Sequence, residues 1–467
     1  MSHFNKSKKQ FIKTCSQSSI FDIFIIGAGV GGLELGFTKA NDYKKEKCEA
    51  NIAIIDQSDY VGGRVRSVKD TFQGKKISYE AGAARFNNNH KSLLSVINRC
   101  GLKNKMVKIP SFWEFRPTEN YKTKWGKIPF KNVEELLSEL VKYYNKPKHR
   151  SYLRNKTLYE ACRDLYGYSI AEYLKNSYSY YSEIKVFNGL NAIRSLTNDL
   201  SEQNQFYILG GGLAQVPQCQ AKQFLDVSNN NSKINTFISL KTQAHGWKYD
   251  QKTKLFEITI LDLESETKYK VYTKNLVFAV DGKSLSRWKN QLKIIQPKII
   301  DIIKHVTSQP LLRTYAVYKS KWFAKYGKVV TDGLVKYVIP IDPKIGLIMI
   351  SYTDGEYVRK MMRHINDGTQ EDAIYKSLKE IFPDDTIEKK PAYLRNEYWD
   401  CGAVYWNKGA DSDKMSKFMM KPSKNHNLFI CGDSFSENQA WTDGAIYNAR
   451  EVAKKINYTH NLTIKFL

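Results

Sequence analysis

Residues 21–32 read FDIFIIGAGVGG, and residues 33–56 continue through LELGFTKAN and a charged loop to NIAIID. An apolar run of strand length enters a glycine turn, an amphipathic helix follows, and a second apolar run ends on an acid, which together spell a βαβ unit. Gly27, Gly29 and Gly32 form the G-x-G-x-x-G spacing at the strand-to-helix turn. Glycines there let backbone amides and the positive helix end approach a pyrophosphate. Asp56, closing the second strand, stands where a carboxylate can accept hydrogen bonds from a ribose diol. These features predict a dinucleotide-binding half and leave NAD and FAD equally open.

Working outward, residues 131–205 carry helical periodicity, as in VEELLSELVKYY at 133–144, and predict a helical insertion. Strand-like runs follow at FEITILDL, KVYTK and LVFAV, then RTYAVY, KYVIP and LIMISY, with a helix around DAIYKSLKEIF. The last strand, NLFICGD, leads into a terminal helix, TDGAIYNAREVAKKI. The expected division is a basic flexible tail at 1–20; a discontinuous dinucleotide-binding domain at 21–85, 206–300 and 420–458; and a substrate domain at 86–205 and 301–419. The fold class is α/β: a Rossmann-type domain interleaved with an α+β domain of mixed sheet plus the helical insertion.

The 467 residues, 42% of them hydrophobic, can bury a large core, so disorder of the whole chain is excluded. The first apolar run leads straight into the glycine turn, so no signal peptide is expected. No stretch approaches the roughly 20 apolar residues of a membrane span, so no transmembrane segment is expected and the protein should be soluble. The seven cysteines are scattered and form no CxxC pair. They read as reduced thiols, in a cytoplasmic or other reducing compartment, with no metal site. The net charge of +26 is spread over the whole chain without a nucleic-acid module. It reads as compositional drift towards lysine, and an anionic surface or acidic partner remains the alternative.

Four further elements settle the cofactor by resemblance. Asp56 through Val61-Gly62-Gly63-Arg64 resembles the E-x-x-x-x-x-G-G-R element of the flavin amine oxidase superfamily, which includes monoamine, polyamine and L-amino-acid oxidases. YEAGAARF at 79–86 resembles its E-x-G element beside the flavin, LGGGLAQVP at 209–217 its connection back into the cofactor domain, and FICGDSFSENQAWTDGAIYNA at 429–449 its last flavin element. The resemblance implies FAD contacts at the glycine turn and Asp56, at Gly62, Gly63 and Arg64, at Gly82, Ala83, Ala84 and Arg85, at Ala244, and at Gly432, Asp433, Trp441 and Thr442.

The same resemblance implies an amine oxidase that turns a primary or secondary amine into an imine and reduces O2 to hydrogen peroxide. Trp441 and Tyr352 match the aromatic cage, and Arg85 in GAARF matches the arginine that grips the substrate carboxylate of L-amino-acid oxidases. A guanidinium fork suits a carboxylate, and it suits a structural ion pair for the same reason. Both readings stay open here. Arg313 occupies the position where many relatives carry a lysine near flavin N5, and arginine cannot easily serve as a neutral base. Ala403 of CGAVY stands where monoamine oxidases carry the flavin-bonded cysteine, so the FAD is expected to be non-covalent; Cys401 lies two residues away. Rate should rise with pH as the substrate ammonium loses its proton. A polyamine or monoamine oxidase, a flavin desaturase, and a non-catalytic flavin-binding protein of a larger assembly are the rival readings. Asp433, Arg313 and Asp281, where relatives carry other residues, keep the last one open.

Overall fold

Ile20–Ile26 is the central strand of a seven-stranded sheet, and it runs parallel to Ala50–Ile55 on one side and Lys268–Phe278 on the other. Phe24 pairs with Ala53 and with Leu276. Strands covered on both faces read as unbroken apolar runs, which is why this segment shows no alternation. The sheet order is Thr242–Asp250, Leu255–Asp262, Lys268–Phe278, Ile20–Ile26, Ala50–Ile55, Ile234–Ser239, with Leu428–Ile430 joining Lys268–Phe278 in parallel. The chain therefore leaves this sheet twice and returns to it. A computed structural model supplies these coordinates and describes residues 2–17, 19–111, 113–125, 128–178, 180–200, 203–229 and 233–457.

Helix Val30–Lys45 starts at the glycine turn and packs against helices Gln215–Asn229 and Thr442–Ala453. Its Glu34 is 1% exposed and holds these elements together. The carboxylate accepts two bonds from Arg99, at 3.1 and 2.6 Å, one from Arg450 Nε at 2.8 Å and one from Gln220 Nε2 at 2.9 Å. Desolvation is the largest influence on its pKa and pushes upward, but the two guanidinium groups outweigh it, so the carboxyl lies below its ordinary value.

The excursions from the sheet build a second layer. A six-stranded sheet runs in the order Tyr393–Trp406, Val306–Val317, Leu347–Asp354, Tyr337–Asp342, Val329–Val330, Glu114–Phe115. Helices fill residues 133–199, among them Leu158–Tyr166, which opens on a capping box between Thr157 and Glu160. A three-stranded sheet, Arg85–Asn87, Phe206–Leu209 and Met106–Ile109, lies where the first excursion leaves and re-enters.

Two expectations are corrected. The basic N-terminal segment is no frayed tail: Ser2–Ser16 is a helix. Phe11 and Cys15 recur on its inner face, and Phe11 is fully buried against Phe21, Phe24 and Phe237. Ser7 Oγ accepts the Ile238 amide at 2.8 Å, and Lys8 reaches Asp262 at 2.6 Å and Glu264 at 2.7 Å. Lysines on the outer face hid this pattern in the composition. Met1 and Ser18 of the expected tail, and residue 458 of the expected third segment, lie outside the described residues. The seven cysteines are also not all reduced, because Cys100 and Cys219 form a disulfide. They are 119 residues apart, and only the packing of helix Lys91–Arg99 near helix Gln215–Asn229 brings them within reach. No helix of the described residues is long and apolar enough to cross a membrane.

Candidate active site

The glycine turn has backbone reasons for its residues. Gly27 has φ +116°, and a Cβ there would lie 2.4 Å from the Ala279 carbonyl oxygen; a Cβ on Gly32 would lie 2.1 Å from the Gly27 oxygen. Gly29 bridges Gly62 in parallel, and the Gly62 amide donates to Ala28 at 2.8 Å. Cβ atoms built on Gly29 and Gly432 would meet nothing within 4 Å, and one on Gly63 would meet only Gly29. Three glycines thus edge an open trough at the positive end of a helix, where a pyrophosphate can approach. Asp56 accepts the Ala28 and Ser58 amides, both at 2.8 Å, leaving lone pairs for a diol. Ala244 lies two residues beyond Thr242, whose amide donates to the Asp56 carbonyl.

Residues far apart in the chain close the same trough. Arg64 and Asp433 form an ion pair across 369 residues of sequence, and Arg64 Nη1 also reaches the Gly402 carbonyl at 3.5 Å. Asp433, where relatives carry glutamate, thus meets the arginine of the G-G-R element. Asp281 caps the short helix Gly282–Leu285, accepting from Ser284 N and Oγ, so its departure from the usual residue has a local structural use. Cys401 lies beside Arg64 and Asp281, and burial pushes its thiol up to about 12. Ala403 is buried in the strand register, opposite Gln309.

The segment Ala81–Arg85 is threaded tightly against Arg64. Ala83 donates to the Arg64 carbonyl at 2.9 Å, and a Cβ on Gly82 would sit 1.8 Å from that oxygen. The Glu80 carboxylate accepts Ser67 Oγ at 2.8 Å and the Leu213 amide at 2.7 Å, tying in the 209–217 connection. Its carbonyl accepts Arg313 Nη1 at 2.8 Å and the Tyr315 hydroxyl at 2.7 Å. Ala84 continues the thread into strand Arg85–Asn87.

Beyond this thread the side chains converge on an aromatic chamber. The Arg85 guanidinium stands 4.8 Å from the Phe206 ring centre, 5.6 Å from Tyr180 and 5.8 Å from Trp441. Trp441 is the residue before helix Thr442–Ala453, and its ring packs 4.5 Å from His90. Burial, then the Arg85 charge, pushes His90 down to about 4, so it packs as a neutral ring. Arg313 faces Tyr352 across neighbouring strands and stands 4.6 Å from its ring centre. Tyr352 meets Tyr180 at 5.8 Å and Tyr337 at 5.6 Å, and these last two meet at 5.2 Å. Burial raises the Glu183 carboxyl to about 7 and that of Asp199 to about 6.

The flavin containing amine oxidoreductase model matches residues 49–457. The chain belongs to that family. It is an FAD-dependent amine oxidoreductase. An uncharacterized protein of Acanthamoeba polyphaga mimivirus is 21% identical over 97% of both chains. Among solved structures, wild-type putrescine oxidase bound to putrescine is 16% identical, with TM-score 0.67 over 94% of this chain and 99% of that one. A triple mutant of putrescine oxidase, redesigned in its cofactor binding, is 15% identical with TM-score 0.68 over 93% and 98% of the two chains. At such identities these structures share the fold.

Sequence motifs led to Arg85, Trp441, Tyr352 and Arg313. The structure brings Arg85 to Trp441 and Arg313 to Tyr352, and Tyr180 stands between the two pairs. Tyr180, Tyr337 and Phe206 were missed: Tyr337 and Phe206 lie in strands whose local pattern reads only as core, and Tyr180 lies in the connection just before helix Tyr181–Lys185. Tyrosine abundance, with 30 in the chain, hid the first two.

Proposed function

We propose that this amine oxidoreductase oxidises L-amino acids, reducing O2 to hydrogen peroxide, with Arg85 taking the substrate carboxylate. The observation that carries the reading is the isolation of Arg85. Among the described residues its guanidinium donates no hydrogen bond and lies in no ion pair; aromatic faces surround it. The guanidinium is half-buried with its donors free, and a substrate carboxylate would engage it through two parallel bonds. Asp199 supplies distant charge only, and its own carboxylate accepts Asn87 Nδ2 at 3.0 Å.

FAD, when bound, supplies the hydride acceptor for the substrate's α-hydrogen. Gly29, Gly63 and Gly432 would border its phosphates, Asp56 its ribose, and the Arg64–Asp433 pair the region between. Ala403, where monoamine oxidases carry the flavin-bonded cysteine, favours non-covalent binding. Within the chamber, Arg85 fixes one end of the substrate while Trp441 and Tyr352 guide the neutral amine. Arg313 is tied to the Glu80 carbonyl and stacked on Tyr352, so it acts as a positioning residue for that ring. The imine product then hydrolyses to a keto acid and ammonia.

A diamine such as putrescine suits the chamber less well. It would bring a second ammonium towards Arg85 and Arg313, both held charged, with like charge opposing entry. Anaerobic titration of the bound flavin with L-amino acids, polyamines and aromatic amines tests the reading. Bleaching by amino acids that is lost in Arg85→Ala, while carboxylate-free amines still bleach the variant, is the expected result. Equal loss for every amine in Arg85→Ala would overturn the carboxylate role.

A further inference from the structure

Lys328 borders the same chamber and has no use in the assignments above. Its Nζ stands 4.5 Å from the Trp113 ring centre, 4.9 Å from Tyr337 and 5.9 Å from Tyr180. Like Arg85, it donates no hydrogen bond and lies in no ion pair among the described residues. Glu134 and Glu183 are the acids that act on it, and neither comes within ion-pair distance. Glu183 is already engaged, accepting the Tyr178 hydroxyl at 2.7 Å. Its backbone is held firmly: the Glu114 amide donates to the Lys328 carbonyl at 3.0 Å, beside the pairing of Glu114–Phe115 with Val329–Val330.

Arg85 and Lys328 therefore stand 5.6 and 5.9 Å from the centre of the same Tyr180 ring, two cationic side chains without acceptors on the wall of one chamber. Resting on the reading of Arg85 as the carboxylate site, we infer that Lys328 receives a second acidic group, so that the preferred substrate is an α-amino acid with a carboxylate side chain. Two nitrogen donors beside one aromatic ring favour a substrate with two carboxylates, and a neutral side chain would leave the Lys328 amine without a partner. Burial, then the Arg85 charge, pushes the Lys328 ammonium well below the ordinary lysine value. A bound carboxylate would add a counter-charge at ion-pair distance, which neither Glu134 nor Glu183 supplies.

The test uses the flavin-loaded enzyme and two acids that cannot be oxidised, glutarate with two carboxylates and butyrate with one, read by the perturbation of the flavin absorbance. Glutarate is expected to bind on the order of 10²-fold more tightly than butyrate, as for other desolvated charge pairs. Lys328→Met, which keeps the stem, should erase that ratio while retaining bound flavin, and Lys328→Arg should restore most of it. A ratio unchanged in Lys328→Met, or butyrate binding as tightly as glutarate to the unaltered enzyme, overturns the inference. If Arg85→Ala weakens both acids while Lys328→Met leaves their ratio intact, the second-acid site falls and the amino-acid reading stands. If neither acid binds and only carboxylate-free amines bleach the flavin, both readings fall together.

Discussion

Two charged sites in this protein are built in opposite ways. Under the glycine-led helix, Glu34 is saturated: two arginines and a glutamine donate to one carboxylate and join four helices. In the chamber, Arg85 and Lys328 are surrounded by rings and meet no acceptor among the described residues. A saturated site gives a fold its rigidity, whereas cations without acceptors have affinity left for a ligand. The carboxyl groups follow the same division. Glu34 is held below its ordinary value, and Glu183 is raised to about 7.

The largest effect should come from breaking the saturated site. Glu34→Ala leaves Arg99 and Arg450 facing each other without their acid, and a loss of about 3–5 kcal/mol is expected. Urea unfolding of the flavin-bound protein would measure it, and a loss under 1 kcal/mol would show that the contrast has been overdrawn. In the chamber, Arg85→Ala should lower kcat/KM for amino acids by roughly 10²- to 10³-fold without comparable loss of stability. Steady-state peroxide production and a melting curve, taken on the same preparation, separate the two effects.

Smaller effects probe the edges of each region. Ser7→Ala removes the hydroxyl that accepts the Ile238 amide, and a cost of about 1–3 kcal/mol is expected for that buried donor. No change in Tm would mean that the N-terminal helix contributes nothing to the sheet beneath it. Glu183→Gln tests the chamber through pH. Because its folded value is raised, the stabilisation that this carboxyl contributes is full below the ordinary value of 4.5 and is lost as pH rises through about 7. A glutamine, neutral throughout and still able to accept from Tyr178, should flatten the fall in Tm between pH 5 and pH 8. An unchanged slope would assign that pH dependence to other groups.

Legibility divided along the same line as the charges. The dinucleotide-binding half was readable because its signals are local in sequence: the glycine spacing sits in one turn, where Gly32 is required by the Gly27 carbonyl, and Ile20–Ile26 is apolar because both faces are covered. The G-G-R and E-x-G elements were recognised as separate stretches. Their mutual fit, with Gly82 pressed on the Arg64 carbonyl and Arg64 paired to Asp433, needed the fold. The N-terminal helix was misread because its lysines dominate the composition while Phe11 alone carries much of its burial. The Cys100–Cys219 bond was misread because spacing carries no information about which helices pack together.

By itself, then, the sequence determined the α/β framework and the FAD family and singled out Arg85, Arg313, Tyr352 and Trp441 as candidates, since backbone geometry and short motifs record such demands in neighbouring positions. Tertiary structure alone decided that Tyr180, Tyr337 and Lys328 share a chamber with them. Tyr180 and Lys328 lie in connecting segments and Tyr337 opens a strand, and a cation's lack of an acceptor is a property of the whole surrounding shell, which no single stretch of sequence contains.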